Sequence, residues 1–124
     1  MKSREGTLRL KRFQVEDKRR QVAQIETMIA EFDRMAKELN DQVMAEQERS
    51  GIHDAGHFAY PTFAKAATQR RDNLTASERA LKDQLAAAKA AYDEAVAELE
   101  KAEAIAERDQ ANDAKHAHAA AAHA

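Results

Sequence analysis

The stretch Gly51-Ile52-His53-Asp54-Ala55-Gly56-His57-Phe58-Ala59-Tyr60-Pro61-Thr62-Phe63 decides how this chain folds. It holds two of the chain's three glycines, its only proline and three of its six aromatic residues. The sequence on either side is rich in Ala, Glu, Lys, Arg and Leu, the composition of long helices and coiled coils. A helical chain that gathers its breakers in one place is expected to be two helices joined by one bend.

Working outward, the upstream flank carries a seven-residue apolar repeat, Leu8, Val15, Val22, Ile29, Ala36 and Val43. A second row, Ile25, Phe32 and Leu39, runs three positions on, with Lys11 and Lys18 in the same row nearer the start. The downstream flank has Leu74, Leu81, Ala88, Ala95 and Ala102 in one row and Leu85, Tyr92, Leu99 and Ala106 in the other. Arg71 and Glu78 interrupt that second row upstream. Each pair of rows makes a narrow stripe of the kind that zips two helices together. Gly51 after Arg49 and Ser50 suits a left-handed glycine cap, and Pro61 suits a helix start.

The expected architecture is all-α: an antiparallel coiled-coil hairpin over residues 1–112. Helix 1 covers about 7–49, the bend 50–61 and helix 2 about 62–112. Residues 113–124, an Ala/His run, are expected to fray. When the chain is folded about His57, residues whose numbers sum to 113 or 114 meet. Leu39 then faces Leu74, Phe32 Leu81, Ile29 Leu85, Val22 Tyr92, Val15 Leu99 and Leu8 Ala106. The same fold sets residues 1–20, with eight basic and three acidic side chains, beside residues 92–113, with two basic and eight acidic. Opposite charge along the flanks favours the antiparallel pairing.

Composition narrows the function. The chain has 124 residues, 34% of them charged and 5% aromatic, and no cysteine, so thiol and disulfide chemistry are excluded. No stretch approaches the ~18 apolar residues of a membrane span, and the first residues lack a secretory apolar run. The expectation is a cytoplasmic protein without direct membrane insertion. No phosphate loop, nucleophile motif or cofactor fingerprint is visible. Ser3, Ser50 and Ser77 have no recognisable base partner. No enzyme activity, catalytic residue, cofactor or metal is expected; His53, Asp54 and His57 in the bend read as turn residues rather than ligands. The basic arm resembles a basic zipper in outline, but Glu16 and Asp17 interrupt it and the net charge is −2. Nucleic acid is therefore not the expected partner.

Two groups point to protein partners. Leu10 and Phe13 lie off the seam among Arg9 and Arg12, the composition of an interface anchor. Phe58, Tyr60 and Phe63 fill the bend, either closing it or docking on a partner.

Residues His57-Phe58-Ala59-Tyr60-Pro61-Thr62-Phe63-Ala64-Lys65-Ala66-Ala67, running into Gln69-Arg70-Arg71-Asp72-Asn73-Leu74, resemble the alphaproteobacterial branch of the FliJ family. So do Leu8-Arg9-Leu10-Lys11-Arg12-Phe13-Gln14-Val15 and Lys18-Arg19-Arg20-Gln21-Val22. The resemblance covers residues 1–110, and its specific part is the Phe-Ala-Tyr-Pro turn with the opening motif. It implies a non-catalytic hairpin of the flagellar type III export apparatus, cytoplasmic and peripheral at the inner membrane. The implied partners are the hexameric export ATPase, the cytoplasmic domain of the export gate membrane protein, and export chaperones. It further implies that Arg9, Leu10, Arg12 and Phe13 meet the ATPase ring and that the bend aromatics meet the gate. Without the resemblance, the residues support a general coiled-coil adaptor or chaperone with an unrelated protein partner.

Overall fold

A computed structural model describes residues 2–122. Two helices, α1 (Lys2–Ser50) and α2 (Thr62–Ala122), pack against each other as a helical hairpin, and no strand occurs among the described residues. The chain divides into two compact units: a middle unit, Ala23–Ala87, and an end unit, Met1–Val22 with Ala88–Ala124.

In the middle unit the seam has the expected register. Leu39 and Val43 of α1 are buried with Ala67 of α2, and Leu74 packs on that cluster. Ile29 and Leu85 line one groove, and Leu81 is buried. Ile25, Phe32 and Leu74 are half-buried, because two helices cover only part of each seam residue. The seam also runs further toward the bend than Leu74. Ala64, fully buried, and Ala67 continue the two rows of α2 by one heptad. Their lack of bulk lets the backbones approach closely just where the chain turns.

Two charged residues on seam positions escape rather than being buried bare. The Arg71 guanidinium donates to Asn40 Oδ1 at 2.6 Å and pairs with Asp72 at 3.1 Å. Glu78 reaches Lys82 at 3.6 Å, one helical turn on. Burying either charge without a partner would be costly, so these contacts explain how the seam tolerates them.

The turn is held by local hydrogen bonds. Gly51 has φ +73°, and its N–H donates to Gln47 O at 2.9 Å, the left-handed ending of α1. Asp54 Oδ1 accepts from Gly56 N at 2.9 Å, and His57 Nδ1 accepts from Ala59 N at 3.0 Å. Tyr60 N donates to His57 O at 3.0 Å. Pro61 stands just before α2, and its carbonyl takes the Lys65 N–H at 3.1 Å. It thus caps the helix from the residue outside the first turn, one step earlier than the sequence suggests. The missing proline N–H has no helical acceptor at either position.

In the end unit Ala106 is buried and shares a cleft with Leu8. Val15, Val22, Tyr92 and Leu99 are half-buried. Lys18 and Ala95 line one groove, where a long stem can cover a small residue. The charge asymmetry becomes contact: Arg4 pairs with Asp113 at 3.3 Å and Lys11 with Glu98 at 3.7 Å.

Both helix boundaries extend beyond those read from the sequence. α1 is helical from Lys2 rather than from about residue 7. α2 passes the expected limit at 112 and continues to Ala122. Two physical reasons correct the boundary. Alanine has the highest helix propensity of any residue, so an Ala-rich run continues a helix without packing. Asp113 is moreover held by Arg4. Residues 114–122 are all exposed, and their helix rests on propensity alone.

Candidate functional site

The opening motif of α1 splits its side chains between two surfaces. Leu8, Lys11 and Val15 turn toward α2 and are half-buried. Leu10 and Phe13, three residues apart and so on one face, turn outward, 54% and 60% exposed. Arg9 and Arg12 are exposed beside them. Arg12 borders a shallow cleft with Glu103 and Glu107, so part of the basic arm is already opposite carboxylates of α2. Phe13 forms one lip of a groove of about 430 Å³ that also includes Asp17, Lys18, Ala95 and Glu98. A groove lined by a phenyl ring and by Ala91 and Ala95 is a surface an apolar side chain can enter, and the charged residues lining it supply polar contacts.

Within this stretch Glu16 and Arg19 form an ion pair at 2.8 Å. Hydrogen bonding from the guanidinium, then its charge, holds the Glu16 carboxyl below the usual carboxylate range; the same contacts raise Arg19. Glu16 is therefore charged near neutrality and occupies Arg19, which leaves Arg9 and Arg12 as the cations nearest the two apolar residues.

The bend belongs to the middle unit and sorts its three aromatics. Tyr60 is half-buried, and its hydroxyl accepts from Gln47 Nε2 at 2.9 Å. It ties the approach to α2 to the last turn of α1 and is part of the bend's closure. Phe58 is 96% exposed, with only the His57 ring stacked on it at a centroid separation of 4.7 Å. Phe63, in the first turn of α2, is 56% exposed. The structure thus separates a closing aromatic from two outward ones, a distinction the sequence does not make. A tyrosine within reach of a glutamine on the preceding helix is the only signal that could have indicated it.

Among the described residues no group of three or more His, Asp or Glu is placed to share a metal ion. Among the described residues no helix is long and apolar enough to cross a membrane. No protein-family model, curated protein or solved structure matches the chain.

Sequence reasoning passed over one set of surface residues. Met28, Met35 and Met44 are exposed on α1, and Ile105 on α2. Met28 and Met35 are seven residues apart and stand next to seam positions, which only the structure shows to be an uncovered flank.

Proposed function

We propose that this chain is a non-catalytic coiled-coil adaptor of flagellar type III protein export. In this reading it couples the export ATPase ring to the export gate, cycles export chaperones, and works in the cytoplasm at the inner-membrane apparatus. The resemblance of residues 8–22 and 57–74 to the FliJ family suggests the system. The observation that carries the reading is the outward placement of Leu10 and Phe13 beside Arg9 and Arg12. Residues needed only for the hairpin would face α2. Two apolar side chains kept in water among arginines are better explained by a protein that covers them, with its carboxylates meeting the guanidinium groups. Phe58 and Phe63 are the corresponding residues for the gate, with Tyr60 holding the bend that presents them.

The test is association with the purified export ATPase. Leu10→Ala with Phe13→Ala is expected to weaken it at least ~10-fold, since each buried apolar anchor contributes more than about 1 kcal/mol. Helicity by circular dichroism stays unchanged, because both side chains are exposed. No measurable binding by the unaltered chain overturns the assignment and leaves the second reading, a general coiled-coil adaptor with an unrelated partner. That second reading draws on the same exposed residues, which suit any partner of complementary chemistry.

A further inference from the structure

The bend is organised around His57. Its backbone N–H donates to Asp54 O at 3.0 Å, and its carbonyl accepts from Tyr60 N at 3.0 Å, closing a four-residue turn over 57–60. The ring adds a third bond, in which Nδ1 accepts from Ala59 N at 3.0 Å. That bond spans Phe58, the residue between acceptor and donor. The Phe58 ring in turn stacks on the imidazole, with centroids 4.7 Å apart and planes 22° from parallel. A side-chain acceptor at the first position of a turn, reaching the N–H two residues on, is the arrangement asparagine and aspartate make there. Asp54 makes it in the same bend, accepting from Gly56 N at 2.9 Å. Histidine differs in one respect: its nitrogen accepts only while it carries no proton, and in the imidazolium both ring nitrogens are donors.

We infer that His57 is a proton-operated latch on Phe58: the neutral ring fixes the direction in which the bend presents the phenyl group, and protonation releases it. The inference uses the bend alone and does not depend on the export reading.

The proton acts on a single bond. The two backbone bonds of His57 do not involve the ring, so the 57–60 turn persists in both states. The loss falls on the Phe58 backbone, which only the Nδ1 bond spans within the turn. A protonated Nδ1 facing the Ala59 N–H would set donor against donor, so the ring must rotate, and Phe58 follows it or loses the stack. Ala59 is exposed, so water takes its freed N–H. Histidine is the side chain whose charge ordinarily changes between about pH 5 and 8. A carboxylate acceptor such as that of Asp54 keeps its lone pairs across that range.

Nothing else holds the ring. Among the described residues the His57 imidazole makes no second hydrogen bond and no ion pair. The other titratable side chains of the bend are His53 and Asp54, both exposed, and Tyr60, whose hydroxyl is taken by Gln47 at 2.9 Å. The helix ends beside it carry Glu46, Glu48 and Arg49 on α1 and Lys65 on α2, and Glu46 and Arg49 pair with each other. Phe58 is 96% exposed, so its direction rests on the stack and the latch rather than on packing. A partner that takes this ring meets it already oriented when His57 is neutral. When His57 is charged the partner must order it on binding, which lowers affinity with no change in the hairpin.

Nuclear magnetic resonance of the full chain between pH 8 and pH 5 is the test. At pH 8 the His57 ring is expected as the Nε2–H tautomer, with Nδ1 bare. On acidification the Ala59 amide signal should move to the position of an unbonded amide, in step with the His57 ring. The latched turn should lose roughly fivefold in population, the weight of one hydrogen bond of about 1 kcal/mol. His57→Asn places a carbonyl oxygen where Nδ1 stands and should keep the Ala59 amide bonded at both ends of the range. His57→Gln, whose carbonyl is one bond further out, should leave that amide released at both ends. His53→Gln should titrate like the parent. An Nδ1–H tautomer at pH 8 overturns the proposal, as does an Ala59 signal that stays fixed in the parent. So does an Ala59 signal that still titrates in His57→Asn, or one that no longer titrates in His53→Gln.

Discussion

Ala67→Leu tests whether the helices meet as closely near the bend as the packing indicates. Ala67 is 3% exposed and packs on Leu39 and Val43, with Ala64 at 0% one turn earlier. Adding three carbons there leaves no direction of escape, and the helices must separate or the leucine must take a strained rotamer. Overpacking of this kind costs about 1–3 kcal/mol. The low end applies if two helices splay easily, the high end if Leu39 and Val43 are held by Leu74. Ala66→Leu is the control: the same chemical change, one residue away, at an exposed position. Leucine and alanine differ little in helix propensity, so the control is expected to lie within about 0.5 kcal/mol of the parent. Urea unfolding followed by ellipticity at the helix band measures both. The expected result is a lower midpoint for Ala67→Leu alone, with a loss near 2 kcal/mol. Equal losses for the two variants, or none for Ala67→Leu, would refute the close approach.

Gly51→Ala should cost about 1 kcal/mol because φ +73° is unfavourable for a side chain, whereas Gly56→Ala, whose new methyl would stand 3.4 Å from the Asp54 carboxylate, should cost less; thermal melts of both check the contrast. Tyr60→Phe removes the bond from Gln47 and should lower stability by ~1 kcal/mol, while Phe58→Ala should leave the melt unchanged and reduce partner binding. On acidification, Glu16 and Glu46, both held below the usual carboxylate range by hydrogen bonds from Arg19 and Arg49, stay charged longer in the folded chain than in the unfolded one. Their support is therefore fully present above the ordinary carboxylate pKa and is lost as pH falls through the lowered folded values. The Glu16→Gln, Glu46→Gln double variant should flatten that part of a stability-versus-pH curve, and an unchanged curve would show that the pairs contribute nothing.

The hairpin and its register were legible because both rest on periodicity. Seven-residue spacing puts Ile29, Leu39, Leu74 and Leu85 on facing stripes, and a single cluster of Gly and Pro allows only one bend. Ion pairing between the two ends was legible from charge alone, since Arg4, Lys11, Glu98 and Asp113 follow the seam into contact. Other features escaped because sequence pattern has no access to them. Ala64 and Ala67 give no hydrophobic signal, yet they are buried at the start of α2 next to the bend, because close approach favours small side chains. The helix beyond 112 was hidden by low complexity, although alanine needs no packing to remain helical. Tyr60 and Phe58 are two residues apart in the same motif, but only the folded bend brings a glutamine to one and leaves the other in water. The same holds for the two flanks of the seam. Their residues can be read from the heptads, but which flank is uncovered depends on distances between side chains of two helices, and those exist only once the helices have met.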